Sequence, residues 1–365
     1  MIMSGMMRFL MTLMILAGML LGLPLLGIWV AGYPISDYLE FPPQTRYVQH
    51  APFSWLAFVI YSLLIAACTV PLIIHTFKPH LPNKPHKCRS VQPFPVWGWL
   101  GLVFGIAAWI LAWTRFSWFT ALQPHTFTPL WVSFIIVINA LCYRQGGYCM
   151  LLCRPTFFLL LFPISAAFWW FFEYLNRFVQ NWYYIGPEFS AWEYFWYATL
   201  PFATVLPAVL GLRDRLMSTG WLQQRFDQFI PLKVRYPKIL ATLILVLAAS
   251  GLAGIGVWPN ILFPLLWVAP LLIILAIQTL INDRHLLSGL AEGNWTPFVA
   301  AAMAALICGG FWEMWNFFSL AKWKYSIPFV HRYLIFEMPL LGYAGYLPFG
   351  LQCAVVGSLL EKSKP

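Results

Sequence analysis

The sequence is poor in charge. Asp, Glu, Lys and Arg make up 9% of its 365 residues, and only 12 residues are acidic, where soluble domains carry roughly one quarter charged residues. A chain with so few ions cannot cover a water-facing surface of ordinary size. Also missing are the H-E-x-x-H, G-x-S-x-G and phosphate-loop patterns, so no zinc-protease, serine-hydrolase or P-loop chemistry is read from it. Cys142, Cys149 and Cys153 lie close together, but C-x-x-x-C by itself is a poor zinc signal. No metal site is assigned and no cofactor is named.

What the chain does have is apolar surface: 61% hydrophobic residues, 18% aromatics and a mean hydropathy of +0.73. These values define a multi-pass membrane protein, with the lipid bilayer as its first partner. Its length allows about ten helices of roughly 20 residues. The net charge of +10 does not point to nucleic acid, because the basic residues sit in the connections between apolar runs, where membrane insertion uses them.

Apolar runs are expected at about 9–32, 55–76, 96–114, 129–142, 156–180, 192–212, 239–258, 261–281, 297–318 and 334–360. Alternating the connections puts six of the 22 basic residues (Arg46, Arg115, Arg177, Lys322, Lys324 and Arg332) on one side. The rest, including Lys78, Lys84, Lys87, Arg89 and the tail lysines, fall on the other. The positive-inside rule then places both termini in the cytoplasm.

One pattern occurs twice. Glu173, Asn176, Trp182, Tyr184 and Pro187 match Glu313, Asn316, Trp323, Tyr325 and Pro328 in order, with one residue of difference in the gap before the tryptophan. Pro129-Leu-Trp-Val132 against Leu265-Leu-Trp-Val268 extends the match weakly. We read an internal repeat: two N-terminal helices over 1–95, a four-helix unit over 96–238 and a second over 239–365. Units with an even number of helices are parallel and related by an axis along the membrane normal. The expected fold class is therefore an all-α polytopic integral membrane helix bundle built from two four-helix repeats plus two helices.

Ionisable groups in spanning helices are costly and usually have a function. Glu173, Asn176, Arg177 and Gln180 share one helical face, and Glu173 is expected to pair with Arg177. In the second copy Phe317 replaces the arginine, leaving Glu313 without a local cation. Glu337 is expected three to four residues into the last helix, on the same side. The alternative is structural: charges near a helix end can snorkel, and Trp182, Tyr184, Trp323 and Tyr325 would then be interfacial anchors.

The runs Phe311-Trp-Glu-Met-Trp-Asn316, Lys322-Trp-Lys-Tyr-Ser-Ile-Pro328 and Ile335-Phe-Glu-Met-Pro-Leu-Leu-Gly-Tyr343 resemble the C-terminal signature of a family of uncharacterised bacterial multi-pass membrane proteins. Phe168-Trp-Trp-Phe-Phe-Glu-Tyr-Leu-Asn176 resembles that family's internal block. The resemblance implies a bacterial inner-membrane protein and supplies no activity. A looser similarity, to membrane carotenoid cyclases and hydratases, lacks their proline followed by paired glutamates; here the order is Glu337-Met-Pro339.

The functional expectation is an enzyme acting on a lipid or isoprenoid chain, or another hydrophobic small molecule. Glu313 would be the general acid, with Glu173 and Glu337 as electrostatic partners. Asn176 and Asn316 would orient, and Arg177, Trp182, Tyr184, Trp323 and Tyr325 would bind. The alternative is a transporter or lipid flippase that couples a cation or proton through the paired glutamates. The sequence leaves oligomeric state open.

Overall fold

The computed structural model describes residues 5–77 and 91–362. Lys78, Lys84, Lys87, Arg89 and Lys364 lie outside the described residues. The chain is an all-α polytopic bundle. In order it forms α1 (Gly5–Val30), α2 (Trp55–Phe77), α3 (Val96–Trp113), α4 (Phe127–Arg144), α5 (Pro155–Val179) and a broken pair, α6 (Ala191–Phe202) and α7 (Val205–Met217). Then come α8 (Pro237–Gly254), α9 (Leu265–Leu280), α10 (Thr296–Phe317) and α11 (Tyr346–Lys362). Among the described residues nine stretches are long and apolar enough to cross a bilayer, and α9 adds a shorter apolar helix of 16 residues. In hydrocarbon each backbone N–H must be satisfied within its own segment, so such runs become helices.

Local chemistry sets the helix ends and breaks. α6 opens on a capping box in which Ser190 and Glu193 satisfy each other's backbone N–H groups, removing two orphan donors. The sixth span breaks after Pro201, where the Thr204 hydroxyl donates to the Pro201 carbonyl at 2.6 Å. Lipid provides little hydrophobic drive between helices, so close packing of small residues has to hold them. α10 supplies these residues: Ala300, Ala301, Ala304, Ala305 and Cys308 are all fully buried.

Two short antiparallel sheets stand at one end of the bundle, called here the motif end. β1 (Trp182–Ile185) follows α5, β2 (Lys322–Tyr325) follows α10, and they pair with each other. Gly186 ends β1 at φ 125°, and a Cβ there would lie 2.6 Å from the Leu320 carbonyl oxygen, so only glycine fits this turn.

The last span differs from expectation. Residues 334–345 are not helical: β3 (Leu334–Ile335) and β4 (Met338–Pro339) form a hairpin, a 3-10 turn follows, and α11 begins only at Tyr346. Glu337 is therefore in a hairpin turn and not inside a helix. The cause is Pro339, which lacks an N–H and pushes Met338 out of helical geometry.

α2 is the exception to the close packing. It is a 23-residue apolar helix with no buried residue.

Candidate functional site

The two motif copies build the same local frame. In the first, the Asn176 side chain donates to the Trp182 carbonyl (2.8 Å) and accepts from the Trp182 N–H (3.3 Å). In the second, Asn316 does the same for Trp323, at 2.8 and 2.9 Å. Each asparagine thus replaces the missing backbone partners where a helix turns into a strand. Both are buried, and what they orient is the Trp backbone.

β1 and β2 then join the copies. Trp182 lies opposite Tyr325 and Tyr184 opposite Trp323, with Tyr183 and Lys324 at the centre. Because side chains alternate along a strand, these four rings share one face of the ribbon. Deeper in the bundle the matching continues: Trp131 packs on Trp312 at 4.9 Å between ring centroids, and Trp267 stacks on Phe172 at 5.1 Å.

The acids lie beneath this ribbon. Glu173 Oε1 accepts from Trp169 Nε1 (3.1 Å), Trp182 Nε1 (3.0 Å) and the Tyr184 hydroxyl (2.5 Å). Glu313 Oε1 accepts from the Tyr325 and Tyr346 hydroxyls, both at 2.7 Å, while Trp323 Nε1 donates to the Tyr325 oxygen. Burial first, then the adjacent carboxylate, pushes the Tyr184 and Tyr325 phenols well above their usual range. Both therefore remain protonated donors.

The expected Glu173–Arg177 pair does not form. Arg177 instead donates to Glu40 (3.2 Å) and to the Asp37 carbonyl (2.7 Å), because the chain after α1 folds back over α5 and presents both acceptors. Glu173 obtains its partners from indoles and a phenol. Glu337 pairs with Lys322 at 2.5 Å, and Lys322 also caps α10 through the Phe317 carbonyl at 3.1 Å.

The segment between α1 and α2 forms a strap across both copies. Gln180 holds its backbone at Tyr47 and Val48 (3.0 and 2.9 Å), and Asn260 holds it at Gln49 and Ala51 (3.0 and 2.9 Å). His50 bridges the copies: Nε2 donates to the Val179 carbonyl at 2.8 Å and Nδ1 meets the Ser326 hydroxyl at 2.6 Å. Burial pulls the imidazole below its usual range, which keeps this bridging tautomer neutral. The backbone N–H of Thr45, and then its hydroxyl, hold Glu40 below the usual carboxylate range.

Inside these elements is a cavity of about 2140 Å³. Glu173, Asn176, Arg177, Trp182, Tyr184, Trp323 and Tyr325 line it; Glu313, Asn316 and Glu337 do not. Glu173 Oε2 has no hydrogen-bond partner among the described residues and Glu173, though buried, lines the cavity, whereas Glu313 is fully buried with its Oε2 unpartnered. Glu313 meets the cavity only through Tyr325 and Tyr346, which line it. The three acids thus gather at one end, but only Glu173 opens into the space.

Sequence reasoning did not assign Trp169, Tyr346 or His50. Trp169 stands one helical turn before Glu173, which is a readable signal. Tyr346 and His50 arrive from distant segments and leave none. Among the described residues no cluster of His, Cys, Asp and Glu could hold a metal ion. Comparison with protein-family models, curated proteins and solved structures finds no match to this chain.

Proposed function

We propose that this protein is a membrane enzyme that performs proton-transfer chemistry on a lipid or isoprenoid substrate, with Glu173 as the acid–base group. The observation that carries the reading is the cavity's polarity. Arg46, His50, Glu173, Arg177, Glu188 and Lys322, its charged or titratable walls apart from tyrosines and Cys68, all stand at the motif end. Away from that end the lining is mostly apolar and aromatic, from α2, α9, α10, α11 and the 226–232 segment, with the uncharged Thr69 and Thr76 among it. Such a space suits a molecule with one polar end and a long hydrocarbon chain.

Glu173 suits the role because one oxygen is fixed by three donors and the other is free, so the carboxylate is oriented before substrate arrives. The sequence had favoured Glu313. Its sealed position makes it a positioning group that acts through Tyr325 and Tyr346. Glu337 serves Lys322, and the ring faces of Trp182, Trp323 and Tyr325 would hold the chain end or any positive charge that develops on it.

The transporter or flippase alternative is less well supported. A head group or ion crossing this path would pass walls that, among the described residues, carry no Asp, Glu, Lys, Arg or His below the motif end, and a charge at the midplane costs about 3 kcal/mol or more. The matched frames support an internal repeat of two parallel four-helix units, 96–238 and 239–365, about a two-fold axis through the Tyr183–Lys324 pair. The charge asymmetry of the loops supports a topology with the motif end outermost and both termini cytoplasmic, and the resemblance of its signature runs to bacterial multi-pass proteins supports a bacterial inner membrane.

The test is a comparison of lipid extracts from cells carrying the native protein, Glu173→Gln or no protein. The reading expects the variant to match the deletion, with normal amounts of folded protein. A Glu173→Gln extract identical to the native one would refute it.

A further inference from the structure

Glu173 is a buried carboxylate with three donors and no cation. It is 7% exposed, and every group that holds it meets Oε1: the Trp169 and Trp182 indoles and the Tyr184 hydroxyl. These donors are neutral. Oε2 has no hydrogen-bond partner among the described residues, and none of the ion pairs formed there includes Glu173. A buried carboxylate in that state is costly unless a cation meets it.

The basic side chains along the cavity are engaged elsewhere. Arg177, one helical turn on, is held by Glu40 at 3.2 Å, and Lys322 by Glu337 at 2.5 Å. Arg46 stacks on Tyr183, 3.2 Å from the ring centroid, and strand alternation sends that ring to the ribbon face opposite Trp182 and Tyr184. His50 is neutral and engaged with Val179 and Ser326. What the Glu173 end of the cavity lacks is therefore a positive charge.

Its walls suit one. Trp169, Trp182, Tyr184, Trp323 and Tyr325 line the cavity at this end, and the faces of such rings attract a desolvated cation. The unpartnered oxygen calls for a hydrogen donor as well as a charge. A primary ammonium supplies both, with three N–H groups and no acceptor. A hydroxyl donates without the charge, and a phosphate or carboxylate would be repelled by Glu173.

We infer that the Glu173 end of the cavity binds the primary ammonium of an amphipathic amine, one N–H donating to Oε2, while its hydrocarbon chain, acyl or prenyl, lies along the apolar remainder. This rests on the acid–base reading and deepens it: the proton that Glu173 accepts is the ammonium's. The N–H bond breaks, an O–H bond forms on Oε2, and the nitrogen keeps the electron pair. A buried ion pair becomes a neutral amine and a carboxylic acid. Glu313 offers no second site of this kind, because it does not line the cavity.

The probe is octadecylamine with a diazirine beside the amino end, added to the purified full-length protein in an uncharged maltoside detergent at neutral pH. After illumination, adducts are mapped by mass spectrometry. Adducts are expected on Trp169, Trp182 or Tyr184, with about tenfold less from the matching alcohol and from the matching phosphate monoester. Glu173→Gln keeps an oxygen for the three donors but no charge, and should bring the amine's yield down to the alcohol's. Glu292→Gln, at an exposed acid outside the cavity, should leave the yield unchanged. Equal labelling by amine and alcohol, stronger labelling by the phosphate, or an amine yield unmoved by Glu173→Gln would overturn the proposal. No turnover is read, so lipid extracts that depend on Glu173 without amine binding would sink this inference and leave the enzyme reading standing.

Discussion

The two E-x-x-N…W-x-Y copies share a frame and differ in what they do with the acid. In both, an asparagine clamps the backbone of a tryptophan and a tyrosine donates to the glutamate. The difference arises one helical turn before each acid. The first copy has Trp169, whose indole donates to Glu173 Oε1, and Glu173 lines the cavity. The second has Gly309, where a Cβ would come within 2.4 Å of the Tyr346 ring. That glycine makes room for Tyr346, which donates to Glu313 and closes over it. One frame thus carries an accessible acid and a sealed one, and a neighbour four residues away decides which is which.

Several substitutions would break or sharpen this contrast. The largest effect is expected from Glu173→Gln, which removes an acid–base group and should lower turnover by about 10²- to 10⁴-fold, measured on purified protein with the substrate found in lipid extracts. Glu313→Gln, which keeps an oxygen for the two phenols, should cost turnover far less.

Next is Glu313→Ala, which strands the buried Tyr325 and Tyr346 hydroxyls. It should destabilise the protein by about 2–4 kcal/mol, seen as a lowered midpoint of thermal unfolding in detergent. Gly309→Ala should displace Tyr346 at an overpacking cost of about 1–3 kcal/mol. It should also open Glu313 to the cavity, making the second copy resemble the first.

The smallest effect concerns pH. The folded state holds the Glu40 carboxyl below its unfolded value, so its contribution is present above the unfolded pKa and fades as pH falls through the folded one. Acidification through the carboxylate range should loosen the strap at Arg177. Faster proteolysis within residues 39–54 is expected there, and Glu40→Gln should show it already at neutral pH.

Much of the fold was legible because hydrocarbon leaves a long apolar run little choice but a helix. The last span failed where Pro339 interrupted a run whose hydropathy alone looked continuous. In the site, the repeated spacing singled out the acids, the asparagines and the W-x-Y segments, which the fold gathers at one end. It could not show that β1 and β2 pair with each other, since that register joins segments far apart in the chain. It also misassigned Arg177, whose partner Glu40 comes from the strap and not from the next helical turn.

The contrast between the copies can be tested most directly by labelling carboxyls in the vesicle-embedded protein with a hydrophobic carbodiimide and locating the adducts by mass spectrometry. The account expects modification at Glu173, which lines the cavity, and none at Glu313, which does not. Modification of Glu313 with Glu173 untouched would contradict it.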